Sequence, residues 1–341
     1  MYLGIEIGGT KLQLGVGPGD GTLAGVWRGD VDVVAGPEGI RKQILAAVPE
    51  LLTRANVERW QIQGVGIGFG GPVDDATRTI IKSHQIEGWD GFPLADWITE
   101  LLGWPVVLGN DADVAGLAEA LFGAGKGLSP IFYITIGSGI GGGLIIDGEI
   151  YRGCGRGGAE IGHLKDSIET GPVVEDLASG WAIEKNARDR IEKLKMLSDE
   201  ESRERFKKEV LEILEKRPAE RIRDTVLTRL TLGRIERITA KHVAQAAAQG
   251  DEFSLGILNA ALKHLASAIN QVIVLLCPRR FVVGGGVSLM GEELFFKPLR
   301  EMVWQHAFLP FAKCYDIVPA ALGEEVVVHG ALALARKRLG A

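Results

Sequence analysis

The sequence predicts an α/β protein made of two similar lobes that face each other across a central cleft. Two glycine-rich turns carry this prediction, one within residues 4–16 and one within residues 134–146, each between apolar runs typical of β-strands. Glycine permits positive φ and lets an anionic ligand approach main-chain N–H groups. Because the two hairpins open the two halves of the chain, they indicate an internal duplication whose lobes hold a polyphosphate between them.

The first half is predicted to follow the order β-β-β-α-β-α-β-α. Its predicted elements are a hairpin over residues 2–16, a strand over 23–34, a helix over 37–55, a strand over 62–69, a helix over 93–102, a strand over 105–108 and a helix over 114–122. The helix over 37–55 is amphipathic because its apolar residues recur at helical spacing. The short apolar run at 105–108 is typical of a buried strand.

The second half begins with a similar hairpin over residues 131–146. Its other predicted elements are charged helices over 181–249, a long buried helix over 251–276, a strand over 281–283 and a last helix over about 324–338. We expect an N-terminal α/β lobe of residues 1–112, completed by the C-terminal helix of about 324–341. The C-terminal α/β lobe is expected to cover residues 113–323, with a charged helical insertion over about 185–235. The charged helices over 181–249 are interpreted as a solvated face, with a partner-binding helix as the alternative.

Composition limits the class of protein. The formal net charge of the 341 residues is -6, which argues against nucleic acid as a main partner. The three cysteines, Cys154, Cys277 and Cys314, lie far apart, so we expect a reducing compartment without a disulfide framework. No signal-peptide pattern opens the chain, and the most apolar helical stretch, residues 269–277, is too short to span a bilayer. These features predict a cytoplasmic enzyme.

An aspartate just beyond a buried strand is the first candidate for catalysis. Asp111 follows the strand over 105–108, where ligands bind in open α/β sheets. Its carboxylate could accept a hydroxyl proton as the oxygen attacks a phosphoryl group, or it could merely cap the next helix. Asp113 is the better cap by position, and Asn110 offers the donor and acceptor that sugar hydroxyls require.

Three more polar residues are candidates for ligand binding. Glu160 and His163 are three residues apart, so one helical turn would bring them to the same face. A carboxylate with an imidazole suits a polyhydroxyl ligand, half of a metal site or a purely structural pair. Glu175 also suits the ligand, or the first turn of a helix, where acidic side chains favour the helix dipole.

Charged and glycine residues near the turns suggest phosphate binding. Glu6 lies in a strand between apolar neighbours, where an unpaired charge is unfavourable, so a nearby Mg²⁺ ion or a lysine would explain it. Lys11 either neutralises phosphate or pairs with Glu6. The cluster at residues 284–286 follows a strand and could pack on a purine, face a phosphate or form only a tight turn.

Together these segments resemble the ROK family of sugar kinases and repressors, within the hexokinase and actin-like superfamily. The resemblance covers nearly the whole chain. It rests on residues 4–11, 66–74, 109–113, 137–143, 158–163, 175, 179–180 and 283–288.

The resemblance implies two ribonuclease-H-like lobes, as in actin-like ATPases, with ATP and a sugar in the central cleft. Asp111 falls at the catalytic base, which deprotonates the 6-hydroxyl of a hexose. The implied sugar-binding residues are Gly70, Gly71, Asn110, Asp111, Glu160, His163 and Glu175. The implied phosphate-binding residues are Gly8, Gly9, Thr10, Lys11, Thr135, Gly137, Ser138 and Gly139. The implied neighbours of the adenosine are Gly284, Gly285 and Gly286, and Glu6 falls near the Mg²⁺ ion, directly or through water.

The chain departs from the family pattern at one motif. A cysteine-rich zinc motif, CxCGxxGC, usually precedes the glutamate matched by Glu175, but residues 164–174 contain no cysteine and form a shorter segment. Tetrahedral zinc needs four ligands, which His163 alone cannot supply. We therefore expect no structural zinc, and a loop that is held by packing instead.

The resemblance implies ATP-dependent phosphorylation of a hexose at its 6-hydroxyl, with glucose as the first choice. The open alternatives are another hexose, an N-acetylated amino sugar, polyphosphate as the donor, or a sugar-sensing regulator without enzymatic activity. Because the first hairpin begins at residue 3, we do not expect the DNA-binding domain that precedes this hairpin in the family's repressors. An actin-like filament protein would not need the sugar-binding residues. A homodimer is also implied by the resemblance.

Overall fold

The computed structural model describes residues 1–74, 76–83, 86–155, 157–165, 171–196 and 225–340. Within these ranges the chain builds two five-stranded sheets, which we call the N-terminal and C-terminal sheets. Of the predicted charged insertion over 185–235, residues 197–224 lie outside the described ranges.

The N-terminal sheet has the order β3-β2-β1-β4-β7. The strands of the first half are β1 (Tyr2–Ile7), β2 (Lys11–Gly17), β3 (Gly25–Asp30), β4 (Val65–Phe69), the small hairpin β5 (Val73–Asp74) and β6 (Thr79–Ile80), and β7 (Val106–Asn110). The first three strands of the chain pair antiparallel, whereas β4 and β7 join β1 in parallel. The carboxyl ends of β1, β4 and β7 therefore meet at one edge, where a ligand site is expected.

The C-terminal sheet repeats this topology with the order β10-β9-β8-β11-β12. Its strands are β8 (Ile131–Ile136), β9 (Ile140–Ile146), β10 (Glu149–Ile150), β11 (Arg280–Gly284) and β12 (Asp316–Pro319). Again the hairpin and its neighbour are antiparallel, and the last two strands add in parallel. The predicted internal duplication is therefore confirmed.

The helices pack on the two sheets. They are α1 (Gly36–Arg54), α2 (Leu94–Leu102), α3 (Asp111–Leu121), α4 (Val174–Ala178), α5 (Gly180–Met196), α6 (Val226–Leu230), α7 (Ala240–Ala248), α8 (Glu252–Leu276), α9 (Lys297–His306) and α10 (Val326–Leu339). The apolar face of α1 packs with β1, β2 and β4 in one core, and α5, α7, α8 and α9 pack with β8 and β11 in another. Each sheet thus buries one face under helices that lie nearby in sequence.

Two helices cross between the sheets. Helix α3 starts at the end of β7 but packs against β8 and β9, whereas α10 follows the C-terminal sheet in sequence but packs against β1 and β4. Their contact is close because a Cβ at Gly330 would lie 1.9 Å from the Val114 carbonyl oxygen. A Cβ at Gly66 of β4 would lie 1.8 Å from the Ala331 carbonyl oxygen. Only glycine at these two positions allows the backbones to approach this closely.

A buried carboxylate fastens the end of α3 to the segment before α10. Glu119 is fully buried. Its Oε2 accepts a hydrogen bond from the Ala124 N–H at 2.7 Å, and its Oε1 accepts from the N–H groups of Ala321 and Leu322, both at 2.9 Å. A buried charge is tolerated where hydrogen bonds satisfy it, and here they join segments about two hundred residues apart.

Helix α8 confirms the long buried helix predicted over residues 251–276, and the apolar stretch at 269–277 forms only its end. By length and composition alone its 25 residues could cross a membrane, and among the described residues it is the one helix that meets this test. However, 56% of its most apolar window is buried inside the protein, where it packs in the core with α5, α7 and α9. Such burial is typical of a core helix.

Candidate active site

The first glycine turn lies at the carboxyl end of β1 and carries an ion pair. Lys11 Nζ lies 3.2 Å from Glu6 Oε1 and donates a hydrogen bond to the Glu324 carbonyl at 3.3 Å. The sequence left two roles open for Lys11, to neutralise phosphate or to pair with Glu6, and the structure contains the ion pair with Glu6. The contact with Glu324 also fastens the turn to the segment that precedes α10.

Glu6 is a buried carboxylate with a raised pKa and one oxygen that could bind a cation. Burial raises the pKa of Glu6 to about 7, Lys11 opposes this rise, and the nearby charges of Asp111 and Glu324 add to it. Its Oε2 is buried and has no hydrogen-bond partner among the residues that the structure describes. An oxygen in this state is unfavourable unless a ligand satisfies it, and Mg²⁺ prefers oxygen ligands. The site therefore fits a magnesium ion, held directly or through water.

The helix that bears Asp111 is capped by a residue that the sequence did not favour. Asn110, rather than Asp113, is the N-cap of α3, and its Oδ1 accepts from the N–H groups of Ala112 and Asp113. The prediction that Asp113 is the better cap, with a helix over 114–122, is wrong. Asp113 is buried instead and pairs with Arg152 at 2.7 Å.

Asp111 lies in the first turn of α3 with its carboxylate only partly exposed. Its Oδ1 accepts a hydrogen bond from the Ala112 N–H at 2.8 Å. Burial raises the pKa of Asp111 to about 6; the hydrogen bond from Ala112 opposes the rise, and the negative charge of Glu160 adds to it. A carboxylate whose pKa is raised in this way is better able to accept a proton.

The turn at Gly70 and Gly71 lies beside Asp111. The Gly70 N–H donates to the Ile7 carbonyl at 2.9 Å, and a Cβ at Gly70 would lie 3.5 Å from Asp111 Oδ2 and 3.7 Å from Gly8 Cα. Asn110 Nδ2 donates to the Gly71 carbonyl at 3.1 Å. The predicted sugar turn, the predicted base and the first phosphate turn therefore meet at one point.

Glu160 immediately precedes a 3₁₀ turn (Ile161–His163) that ends at His163, and the His163 N–H donates to the Glu160 carbonyl at 3.0 Å. The single helical turn expected between the two residues is therefore present in 3₁₀ form. Both side chains are exposed, and the charge of Glu160 acts on Asp111 across the cleft. The residue before Glu160 is unusual, because Ala159 has a φ of +62°. A non-glycine residue in this region is strained and is often found at a functional site.

The segment that replaces the zinc motif is closed by backbone contacts. Lys165 and Val173 form an isolated β-bridge, and the Val174 N–H donates to the Leu164 carbonyl at 2.9 Å. Residues 166–170, between the bridged ends, lie outside the described residues. Within the described ranges, no three His, Cys, Asp or Glu side chains come together as a metal site.

The second glycine turn is held by Glu175. Glu175 Oε2 accepts from the Ile140 N–H at 2.6 Å and occupies the space that a Cβ at Gly139 would need. The other side of the turn rests on the start of α5, because the Gly180 N–H donates to the Gly137 carbonyl at 2.8 Å. Glu175 is in the first turn of α4, as the sequence suggested, and its carboxylate is directed at this loop.

The third glycine cluster packs against the second hairpin. Gly285 has a φ of +83°, and a Cβ there would lie 2.5 Å from the backbone of Ile136 at the end of β8. The Val287 N–H donates to the Ile136 carbonyl at 2.9 Å. Gly284, at the end of β11, lies beside Thr135 in the register of the sheet. Gly286 lines the groove described next.

A groove of about 700 Å³ extends from the second turn along the C-terminal lobe. It is bounded by Gly137 and Ser138, by the start of α5, by α7 and by the segment after Gly286. The sequence interpretation missed the following lining residues: Trp181, Glu184, Thr239, Lys241, Gln245 and Leu289. They belong mostly to the charged helices that were interpreted as a solvated face. The one local signal is Thr239, whose hydroxyl caps α7.

Comparisons with known proteins identify relatives of this chain in sequence and in fold. The model of the ROK family matches residues 2–338. The chain is 30% identical to a glucokinase of Thermotoga maritima, over 99% of this chain and 98% of that one. Its fold is similar, with a TM-score of 0.76 and 29% identity, to a ROK family glucokinase from Streptomyces griseus solved in complex with glucose and AMPPNP, over 98% and 99% of the two chains.

A longer relative is named as a repressor rather than as a kinase. The xylose repressor of Caldicellulosiruptor bescii is 25% identical over 80% of this chain and 62% of its own length.

The structural likeness to the Streptomyces griseus glucokinase confirms the predicted fold of two ribonuclease-H-like lobes, with their repeated sheets and the cleft between two glycine turns. Since the family model spans almost every residue from the first strand to the last helix, the chain belongs to the ROK family.

Proposed function

We propose that the protein is an ATP-dependent hexose 6-kinase with glucose as its preferred substrate. The observation that carries this proposal is the position of Asp111, a partly buried carboxylate beside both the Gly70 turn and the first glycine turn. The similarity to glucokinases supports phosphorylation of a sugar, and their names support the choice of glucose.

In the proposed reaction Asp111 is the general base. It accepts the proton of the sugar 6-hydroxyl while that oxygen attacks the γ-phosphorus of ATP. The bond between the γ-phosphorus and the bridging oxygen breaks, so the products are a hexose 6-phosphate and ADP. A pKa of about 6 leaves Asp111 ionised at neutral pH and places its proton affinity near the range that base catalysis favours.

The sugar would bind between the two lobes. The proposed contacts are Gly70, Gly71, Asn110, Asp111, Glu160, His163 and Glu175. Carboxylates, an amide and an imidazole together supply the donors and acceptors that hexose hydroxyls need. Because Oε2 of Glu175 already accepts from Ile140, we assign the sugar contact of this residue to Oε1.

The phosphates would bind to the two facing glycine turns. The proposed contacts are Gly8, Gly9, Thr10, Lys11, Thr135, Gly137, Ser138 and Gly139. When bound, Mg²⁺ supplies positive charge that neutralises the phosphate oxygens. Glu6 would hold this ion through its Oε2, and Lys11 keeps Glu6 in place.

The nucleoside would lie in the groove of the C-terminal lobe. Gly284, Gly285 and Gly286 form one end of the binding region, and Gly286 lines the groove directly. The exposed indole of Trp181 lines the same groove and offers an aromatic face to a purine. We expect Trp181→Ala to raise the KM for ATP and to leave the KM for the hexose unchanged.

We also propose that the protein is a cytoplasmic homodimer that binds neither nucleic acid nor membranes. The negative net charge argues against binding to nucleic acid. Exposed apolar residues at the carboxyl ends of α8 and α9 and just after α9 support self-association; they are Val274, Leu275, Trp304, Phe308 and Leu309. Light scattering coupled to gel filtration measures the assembly, and a monomeric mass at micromolar concentration contradicts it.

The test is a coupled assay of ADP release with ATP, Mg²⁺ and a panel of hexoses. We expect glucose to give the highest kcat/KM, and Asp111→Asn to lower kcat about 10²–10⁴-fold because the base is lost. The control is calorimetric binding of glucose, which Asp111→Asn should retain because the amide oxygen of asparagine can still accept a hydrogen bond from the 6-hydroxyl. If no hexose stimulates ADP release, the proposal is wrong. Turnover with polyphosphate would then indicate the other donor, and binding without turnover would indicate a sugar-sensing regulator.

A further inference from the structure

Arg152 lies where three segments assigned to the sugar site come together. It follows β10 and is the last residue before the glycine-rich loop that leads to Glu160 and His163. Its side chain is 15% exposed, and that of its partner Asp113 is 3% exposed. None of the roles proposed above uses this arginine.

The side chain of Arg152 joins two of these segments. Its Nη1 donates to Asp113 Oδ2 at 2.7 Å, in the first turn of α3, two residues after Asp111. Its Nη2 donates to the Val73 carbonyl at 3.3 Å, at the end of the turn that contains Gly70 and Gly71. The planar guanidinium can satisfy both partners at fixed angles, which an ammonium group cannot.

The backbone of Arg152 organises the third segment. Its carbonyl accepts from the N–H of Gly155 at 2.8 Å and from the N–H of Gly157 at 3.3 Å. These bonds fold the glycine loop that leads to Ala159 and Glu160. A single residue therefore touches the loop of the C-terminal lobe, the helix of the proposed base and the turn of the N-terminal lobe.

We propose that Arg152 is a positioning residue that aligns Asp111 with the 6-hydroxyl of the bound hexose. This inference rests on the proposed function. Its physical basis is that small displacements of the reacting groups cost a large part of the rate, and that Arg152 restrains both the base and the sugar turn. Because Asp113 and the Val73 carbonyl belong to segments assigned to the sugar, the effect is expected on hexose binding.

The experiment separates positioning from stability with two variants. Arg152→Met removes the positive charge that pairs with the buried carboxylate of Asp113 at 2.7 Å, so it should lower the thermal unfolding midpoint. Adding Asp113→Asn removes that charge and should restore most of the midpoint. If Arg152 is a positioning residue, the double variant should still show a raised hexose KM and a kcat/KM for hexose reduced about 10²-fold, with the KM for ATP unchanged.

Arg280→Met is the matched control. Arg280 also pairs with an aspartate, Asp316, at 2.6 Å and donates to a carbonyl, that of Ala124, but it lies at the end of β11 opposite the glycine cluster. Its loss should lower the unfolding midpoint and leave both KM values unchanged.

Two results would overturn the inference: recovery of wild-type kinetics in the double variant, or a rise in the KM for ATP equal to that for hexose. Calorimetric titration with glucose in the absence of ATP separates failure of this inference from failure of the proposed function. Weaker binding in the double variant supports Arg152 even if the wild-type protein releases no ADP, and equal binding contradicts it. A wild-type protein that binds no hexose overturns both proposals.

Discussion

At the scale of single residues, the site depends on charges that are kept partly away from water. Asp111 and Glu6 both have raised pKa values, chiefly because burial disfavours their charged forms. Neither is neutralised outright, since Lys11 pairs with Glu6 and the Ala112 N–H donates to Asp111. The same cleft therefore contains one carboxylate suited to accept a proton, Asp111, and one suited to bind a cation, Glu6.

The first prediction concerns pH. A base must be deprotonated to act, so kcat/KM for the hexose should rise with pH through a midpoint near 6, the pKa of Asp111. The measurement is a pH profile of kcat/KM at saturating ATP. Because Glu6 titrates near 7, Glu6→Gln is the control: the limb near 6 should persist in this variant, and its disappearance would assign the limb to Glu6.

The second prediction concerns the strained residue before Glu160. Ala159 has a φ of +62°, which costs an L-residue roughly 1–2 kcal/mol and costs glycine little. Ala159→Gly should therefore raise the free energy of unfolding by about 1 kcal/mol in denaturant titrations. Ala159→Val, with a branched side chain, should lower it. Equal stability of the three proteins would show that the strain is absent in solution.

At the scale of elements, glycines set the contacts of α10 with α3 and with β4. Gly330 and Gly66 allow backbone atoms to touch where any side chain would overlap them. The two helices thereby place Asp111 at the start of α3, and the segment that holds Lys11 just before α10, at the same cleft.

The third prediction compares two helical glycines. A Cβ at Gly330 would lie 1.9 Å from a backbone oxygen, whereas one at Gly256, on the exposed face of α8, would meet nothing within 4 Å. Gly330→Ala should destabilise the protein by about 1–3 kcal/mol or more through overpacking. Gly256→Ala should stabilise it by about 1 kcal/mol because alanine favours helix. Chemical unfolding of both variants checks the pair, and a stabilising Gly330→Ala would contradict the close contact.

The sequence was sufficient for elements whose signals are local. Apolar runs around the glycine turns predicted both hairpins, and helical spacing predicted α1 within one residue at each end. The N-cap of α3 was wrongly assigned to Asp113 because the carboxylate of Asp113 pairs with Arg152. This arginine lies 39 residues further along the chain, so no local signal indicates the contact. The groove beside Trp181 was missed because its walls come from separate segments, and alanine gives no local signal of the positive φ at 159.

At the scale of the whole molecule, the two sheets are joined by more than a linker. Helices α3 and α10 each begin beside one sheet and pack with the other, and Glu119 fastens them together. Neither half buries all of its apolar surface alone, because α10 packs on β1 and β4 from the far end of the chain.

The fourth prediction follows from this arrangement. Differential scanning calorimetry should give one endotherm rather than two, because the sheets share their crossing helices and should unfold together. Glucose at about 100 times its Kd should shift that single transition by about 2.7 kcal/mol of stabilisation. Two separate transitions, only one of them sensitive to glucose, would show that the halves unfold independently.

The late position of α10 in the chain has a consequence for biosynthesis. The ribosome releases the N-terminal strands first, yet the helix that covers β1 and β4 emerges only after the whole C-terminal sheet has been made. Until then an apolar sheet face stays open on the nascent polypeptide, where hydrophobic surface attracts chaperones and promotes aggregation. We therefore expect the N-terminal half to await the end of translation before it reaches its native state.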